Sequence, residues 1–571
     1  MGEVLHDDEE LDSLVGGEVP GATRDAGAEG CGIAHLLDEN ADIRDGLVRI
    51  DAVLRPGRDD RLAFRFGDRS VGDRREGEGV CLHSRLVFEE RGFEPAVPEE
   101  LRDRCMEVPD EVDSGRTDDG AERNEAGNGV DRAARDQRSV VVVLGGHAVK
   151  RIRMRAMPHV VFIAPRFLQN TNRYVKAFAD LPDVTLSVVS EDPESSIPEP
   201  LRARVAGHYR VQHSLDGDQL TVAARAITRG VGKIDRIAGA LEELQQPLAQ
   251  VRDALDIEGM RSDVARAFRE KDRMKEVLRA HGLPVAKSRL VTSLDEVARF
   301  AGEVGIPIII KPQAGLGARS TYRIESKEDL AALERKGFVP SPARPLQVEE
   351  FVRARERTCE TVTIKGKVVW RSGTRYEPAP LKVLENPWMQ YCVVLPREED
   401  DPDFARFNDV NGKALAALFG ESASTAAGTA LTHMEWFLRD DGSSLVNEVG
   451  ARPPGVLIMP LMSLANETDF WADWAELVAL DRFTPKKRKH AAGGAFFRGQ
   501  GGGDQIVSVE GIEEAVEALG DKLIEMRTPK VGQARASSYE GEGWATVRAS
   551  TTAEVEQALL TLIKTVQVRY G

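Results

Sequence analysis

The chain has 571 residues, with 94 Asp and Glu against 77 Lys and Arg, a formal net charge of −17. Residues 1–150 hold 36 of those acids and 20 of those bases, so residues 151–571 carry 58 against 57, and the low pI says nothing about the partners of the larger part. No run approaches the ~20 apolar residues of a membrane-spanning helix, and five scattered cysteines (Cys31, Cys81, Cys105, Cys359, Cys392) show no CxxC pair, which argues against a zinc site or a disulfide framework.

The first 150 residues contain 19 Arg, a single Lys and no Trp or Tyr. Runs such as Asp7-Asp8-Glu9-Glu10 and Arg74-Arg75-Glu76 follow neither a helical nor a strand period. So much charge with so few aromatics buries too little apolar area to offset ordering entropy. Residues 1–153 therefore read as an acidic disordered extension. An alternative is that the segment is the unselected translation of a GC-rich frame, with synthesis beginning at Met154 or Met157.

Order is expected from Val140–Leu144 or, more clearly, from the apolar run His159–Ala164, which has the composition of a buried parallel strand. A helical stretch from Asn172 to Leu181 and a strand from Val184 to Ser190 complete a strand–helix–strand unit of a doubly wound domain. The turn Ala164-Pro165-Arg166-Phe167 lacks GxGxxG, so no dinucleotide site is expected there. From Ser262 the pattern becomes helical, with Ser262 or Asp263 as N-cap and Val264, Phe268, Met274, Val277 and Leu278 on one face; His281-Gly282-Leu283-Pro284 ends it. A second helix spans Ser293 to Val304. Strands follow at Ile308–Lys311, Leu346–Phe351, Thr361–Ile364, Val368–Arg371, Thr429–Leu438 and Ser444–Val449. Pro485-Lys486-Lys487-Arg488-Lys489 reads as a solvated linker. Beyond it, residues 491–571 alternate helices (Gly511–Leu519, Thr552–Val566) with strands near Ala495–Arg498, Lys522–Met526 and Ala545–Arg548.

Three groups of residues carry chemistry. Lys311 ends the strand Ile308-Ile309-Ile310 and precedes Gly315-Leu316-Gly317-Ala318-Arg319-Ser320-Thr321; the strand fixes an ammonium, and a small-residue loop can close backbone N–H groups over phosphate oxygens. Taken alone this is a weak signal, and it is not a Walker A loop. Farther on, Gln347-Val348-Glu349-Glu350-Phe351-Val352 runs from strand into loop, and Glu356 follows; an acid there can accept an adenine amino group and a second can hold ribose hydroxyls, although taken alone the tripeptide Glu349-Glu350-Phe351 reads better as a solvated turn. Finally, His433–Leu438, the turn Asp440-Asp441-Gly442 and Leu445–Gly455 form a hairpin. With Asp441-Gly442 as a two-residue loop, Asp440 pairs with Ser443 and Glu435 falls opposite Glu448. Like charges so placed cost a hairpin ~0.2–1 kcal/mol, so the pair calls for a cation, and Mg²⁺ takes oxygen ligands of this kind. Arg452 adds a planar fork for carboxylate or phosphate.

In this order the motifs resemble the ATP-grasp superfamily, specifically its carboxylate–amine ligase and biotin-carboxylase-like branch. Lys271-Asp272-Arg273-Met274-Lys275 with Gly282-Leu283-Pro284-Val285 is similar to the family's opening pattern. The resemblance implies an α/β and α+β multidomain fold: residues 157–260 as an N-terminal doubly wound domain, 261–484 as the ATP-grasp domain with a lid at about 285–350, and 490–571 as a small α+β domain. It implies ATP contacts from Lys271, Lys311, Gly315, Gly317, Glu349, Val352 and Glu356, magnesium (one or two ions, Mn²⁺ as an alternative) at Glu435 and Glu448, and catalytic roles for Lys311 and Arg452. Many members carry Asn two residues after the second metal Glu; here that position is Gly450, and Asn447 falls on the wrong face of a regular strand to replace it. The implied reaction activates a carboxylate as an acyl phosphate and joins it to an amine. Rivals are a carboxylase acting on bicarbonate, for which no Met-Lys-Met biotin tripeptide is present, and a non-catalytic ATP-binding regulator. Arg371, Arg375, Tyr376 and Trp388 are candidates for an acceptor pocket, the two arginines reading equally well as exposed cations. Small-molecule substrates, a cytoplasmic location and a homodimer are expected, with neither nucleic acid nor a membrane as partner.

Overall fold

The computed structural model describes residues 157–313, 320–399, 401–536 and 540–571, together with the strands Asp51–Val53, Ala63–Arg65, Arg85–Val87, Arg138–Leu144 and Ala148–Met154. Two compact units are present, Met1–Ala156 and Met157–Gly571. Within the first, Arg138–Leu144 pairs antiparallel with both Ala148–Met154 and Arg85–Val87. The rest of the expected acidic extension lies outside the described residues, as do Gly315 and Gly317.

The second unit begins with four parallel strands in the order Gly207–Arg210, Thr185–Ser190, His159–Ile163, Arg236–Ala238. After His159 the strand is apolar, Val160–Ile163, because both of its faces are covered. Val160 and Phe162 pack with Tyr174, Val175 and Phe178 of the helix Gln169–Ala179. Val161 and Ile163 pack with Leu220, Ala223 and Ile227 of the helix Gly217–Gly230 on the other side. The strand order reverses between His159–Ile163 and Arg236–Ala238, and crevices for ligands form outside the carboxyl ends of strands at such a reversal.

The single helix expected from Ser262 is two, Ser262–Arg269 and Lys271–Ala280, broken at Glu270, whose φ of −93° and ψ of 113° are extended. After the break, Lys271 N–H donates to the Gln313 carbonyl at 3.2 Å. Neither expected cap acts: Arg261 precedes the first helix without a side-chain cap bond, and the Ser262 hydroxyl instead meets the Asp253 carboxylate. The end is as expected, with Gly282 at φ +68°, the left-handed position that favours glycine after a helix.

An antiparallel sheet follows in the order Ser288–Val291, Leu346–Glu350, Ile308–Pro312, Tyr322–Ile324. Side chains alternate across it. Ile308, Ile310, Leu346 and Val348 form a core with Val297 and Phe300 of the helix Leu294–Val304. That phase turns Ile309, Lys311 and Glu349 to the opposite face, toward a cavity.

A second, eight-stranded sheet runs Ser444–Gly450, Ala430–Leu438, Arg355–Ile364, Lys367–Glu377, Tyr391–Leu395, Ala491–Phe497, Gly543–Ala549, Leu523–Arg527. Its ladder continues from Tyr391–Leu395 into Ala491–Phe497, so the C-terminal strands extend the same sheet. Met434 and Trp436 point to the helix Pro402–Phe419, where Trp436 stacks on Phe407 with centroids 4.0 Å apart, and the alternation sends His433, Glu435 and Phe437 to the cavity. The basic stretch at 485–489 is not wholly solvated. Arg488 is 2% exposed, its two terminal nitrogens donating to the Pro396 carbonyl and to Ser372 Oγ.

Because Trp436 fills the layer directly beneath Glu435, Trp436→Ala is expected to cost ~3–5 kcal/mol, the range for truncating a large buried aromatic. Urea unfolding of the full chain measures it.

Candidate functional site

A cavity of about 480 Å³ lies between the two antiparallel sheets and the carboxyl ends of the parallel strands. Every described candidate from the motif reading borders it: Lys271, Lys311, Glu349, Val352, Glu356, Glu435, Glu448 and Arg452. They come from separate elements, and most of them are paired with opposite charges.

Lys271 follows the helix break and is 5% exposed; its ammonium donates to Glu448 Oε1 at 2.7 Å. Lys275, one helical turn on and wholly buried, lies 2.6 Å from Glu349 Oε1, while Lys311 lies 3.1 Å from Glu349 Oε2. Glu349 thus bridges two lysines. Burial alone would raise its pKa, but the Lys275 and Lys311 charges outweigh it and hold the carboxyl at about 2. Burial brings the Lys275 ammonium down to about 8 despite Glu349. Lys311 is pushed the other way: the Glu349 and Glu448 charges overcome burial and raise it. Glu448 stays below the usual carboxylate range because Lys271 and Lys311 outweigh its burial. With both oxygens of Glu349 turned to lysines, the side chain orients ammonium groups. Glu356 is different. Burial, with Glu435 nearby, raises it to about 8.

The hairpin places Glu435 opposite Glu448, but by another route than a two-residue turn. Arg439 and Ser443 close a three-residue loop, which shifts the register by one and pairs Leu438 with Ser444. A bulge then restores it: Trp436 pairs with Val446 and Glu435 with Glu448, leaving Asn447 extra. Val446 and Val449 both face the apolar core, so Asn447 and Glu448 both face the cavity. Asn447 Nδ2 donates to Glu435 Oε2 at 3.3 Å. The expectation that Asn447 faces away is therefore corrected. The apolar spacing Val446-x-x-Val449 was the signal, since an unbroken strand does not bury residues three apart on one face.

The carboxylates of Glu435 and Glu448 form an oxygen-donor pair of a kind that fits magnesium, with the Asn447 amide nitrogen turned to Glu435. Among the described residues no group of three or more His, Cys, Asp and Glu side chains is gathered for a metal, so phosphate and water oxygens would complete the shell. His433 backs this set: its Nδ1 lies 2.9 Å from Glu360 Oε1 and its Nε2 3.7 Å from Glu435 Oε1. Glu360, fully buried, also accepts from Thr358 and Thr374. Although burial lowers the imidazole, its bonds to Glu360 and Glu435 raise it to about 9. Lys275, Glu360 and His433 were not singled out from sequence, because a lysine in an amphipathic helix or a His–Glu pair 73 residues apart has no local signature.

Of the acceptor-pocket candidates only Tyr376 lines the cavity. Arg371 bonds Asn411 and the Asn408 carbonyl, Arg375 pairs with Asp401 and Glu556, and Trp388 is 53% exposed. The far wall is instead apolar, with Tyr174, Leu381, Val383, Leu384, Tyr391 and Val456.

The model of the carbamoyl-phosphate synthase L chain, ATP binding domain, matches residues 270–363. An L-arginine-specific L-amino acid ligase of Bacillus subtilis is 24% identical over 251 residues, 42% of this chain and 57% of that protein. A carbamoyl phosphate synthase large chain of Mycobacterium sp. (strain JLS) is 23% identical over 208 residues, 36% of this chain and 16% of that one. The chain thus spans little more than half the length of the first relative and far less of the second. Among solved structures, an L-amino acid ligase of Bacillus licheniformis aligns with a TM-score of 0.57 at 16% identity, covering 73% of this chain and 100% of that one. A carboxyaminoimidazole ribonucleotide synthase of Aspergillus clavatus, solved with ATP, aligns at 0.53 with 19% identity, covering 72% and 99%.

Glu349→Gln would leave Lys275 and Lys311 buried without their shared counter-charge, at a cost of ~3–5 kcal/mol at pH 7. The folded-state pKa of Glu349 lies below its unfolded value of 4.5, so its contribution is present above that pH and is lost as pH falls toward 2. The stability gap between wild type and variant, read by urea unfolding, is therefore expected to narrow below pH 4.5.

Proposed function

We propose that the chain, whose fold is that of the solved L-amino acid ligase and carboxyaminoimidazole ribonucleotide synthase, is an ATP-grasp enzyme of the carboxylate–amine ligase and biotin-carboxylase-like branch: an ATP- and Mg²⁺-dependent ligase joining a carboxylate to an amine, with release of ADP and phosphate. The observation that carries the proposal is the facing pair Glu435 and Glu448 on the same cavity as Lys271, Lys311 and Arg452.

The nucleotide lies under the Ile308–Pro312 strand, its ring against the backbone near Val352 and its ribose at Glu356. In its protonated form the Glu356 carboxyl both donates to and accepts from hydroxyls. Lys271 and Lys311 meet the phosphates, and Arg452 meets the transferred group or the substrate carboxylate. Glu435 and Glu448, with Asn447 beside them, would hold magnesium, one or two ions, which would supply positive charge to the phosphoryl transfer. A carboxylate oxygen attacks the γ-phosphorus and ADP leaves. The amine nitrogen then attacks the acyl carbon and phosphate leaves, forming the amide. Positioning and electrostatics, from charges already aimed at the cavity, supply the rate. Enclosure between the two sheets protects the acyl phosphate from water. The apolar far wall favours a carboxylate or amine with an apolar body.

Magnesium-dependent ADP release by the full chain against amino acids, dipeptides and bicarbonate tests the reading. Stimulation by a carboxylate with an amine supports it; stimulation by bicarbonate alone moves the chain to the carboxylase reading. Lys311→Ala and Glu448→Gln are each expected to lower turnover by ~10²–10³-fold, as loss of a preorganised electrostatic group does, and wild-type turnover in either would remove the role assigned to it.

A further inference from the structure

Gly450 stands where the metal-site pattern often carries Asn, and its neighbourhood explains why. It ends the strand Ser444–Gly450 without a positive φ, so glycine is not required there by the backbone. Space is what favours it: a β-carbon at Gly450 would lie 2.9 Å from Glu242 Oε2, so the carboxylate would have to shift. Glu242 comes from the parallel-sheet domain, in the short turn Glu242–Leu244 after the strand Arg236–Ala238, and is only 5% exposed. Its Oε2 accepts from Arg452 Nε at 2.6 Å, and its Oε1 lies 3.9 Å from Arg269 Nε. Arg452 Nη1 donates to the Pro453 carbonyl at 3.0 Å. Two edges of the guanidinium are thereby fixed, and the Glu242 charge outweighs burial in holding it protonated.

We propose that Glu242 is a positioning residue of the site: it reaches across from the parallel-sheet domain into the space left by Gly450 and sets the plane of the Arg452 fork. The role of Arg452 rests on the proposed ligase activity, but the contact itself does not. A buried carboxylate is retained only where a cation pairs with it, and here the pair joins the two domains whose surfaces form the cavity. The absent side chain at 450 and the acid at 242 are two halves of one arrangement, so a change in one disturbs the other. Displacing a reacting group by about 1 Å costs on the order of 10²-fold in rate, and the orientation of Arg452 depends on a residue 210 positions away in the chain.

The test is a pair of measurements on the full chain. In urea unfolding, Gly450→Ala is expected to lower the folding constant by ~10-fold or more with Glu242 present and by less than about 3-fold in the Glu242→Ala background, the non-additivity of residues in contact. Equal effects in both backgrounds would overturn the contact. In ADP release, Glu242→Gln, which keeps the shape and loses the charge, is expected to lower kcat by ~10²-fold while KM for ATP stays within about 3-fold; wild-type kcat would overturn the positioning role. The unfolding cycle needs no turnover, so a wild-type chain inactive on every substrate counts against the ligase reading and leaves the contact decided by the cycle.

Discussion

Everything about the cavity depends on one constraint: lysines taken out of water must be paired. Lys275 and Lys311 share Glu349, and Lys271 takes Glu448. These five residues come from a helix, a four-stranded sheet and the end of an eight-stranded sheet, and their pairing holds the three walls in register. Under the proposed function, the same pairing is what a triphosphate and a magnesium ion would enter, because the ammonium groups and carboxylates face one cavity.

The architecture supplies the geometry through alternation. In the smaller sheet, Ile308 and Ile310 commit one face to the core and so commit Lys311 to the other. In the larger one, Met434 and Trp436 do the same for His433 and Glu435. A single residue's slip would turn these charges into the apolar layers, so the packing of Trp436 on Phe407 also fixes where the carboxylates point.

Much of this was legible in the residue order. The apolar run Ile308-Ile309-Ile310 located the lysine at its end, and the facing pair Glu435–Glu448 followed from the hairpin. That pair came out right although the turn was read wrongly: a three-residue loop and a bulge at Asn447 offset one another. The helix from Ser262 looked continuous because nothing in the side chains at 269–271 resists helix; the break comes from tertiary contact, Lys271 N–H with Gln313. The basic run at 485–489 looked solvated, and Arg488 is buried because distant carbonyl and hydroxyl groups receive it. Glu242 gave no sign at all, since its partner lies 210 residues on. Local pattern reveals faces and turns; long-range charge pairing it does not.

The measurement that bears most directly on the central claim follows oxygen. With a carboxylate substrate labelled with ¹⁸O in both carboxylate oxygens, attack on the γ-phosphorus followed by amide formation must carry one labelled oxygen into the released phosphate. The account predicts one ¹⁸O in phosphate for each ADP formed. Unlabelled phosphate, or AMP and pyrophosphate as the products, would contradict it.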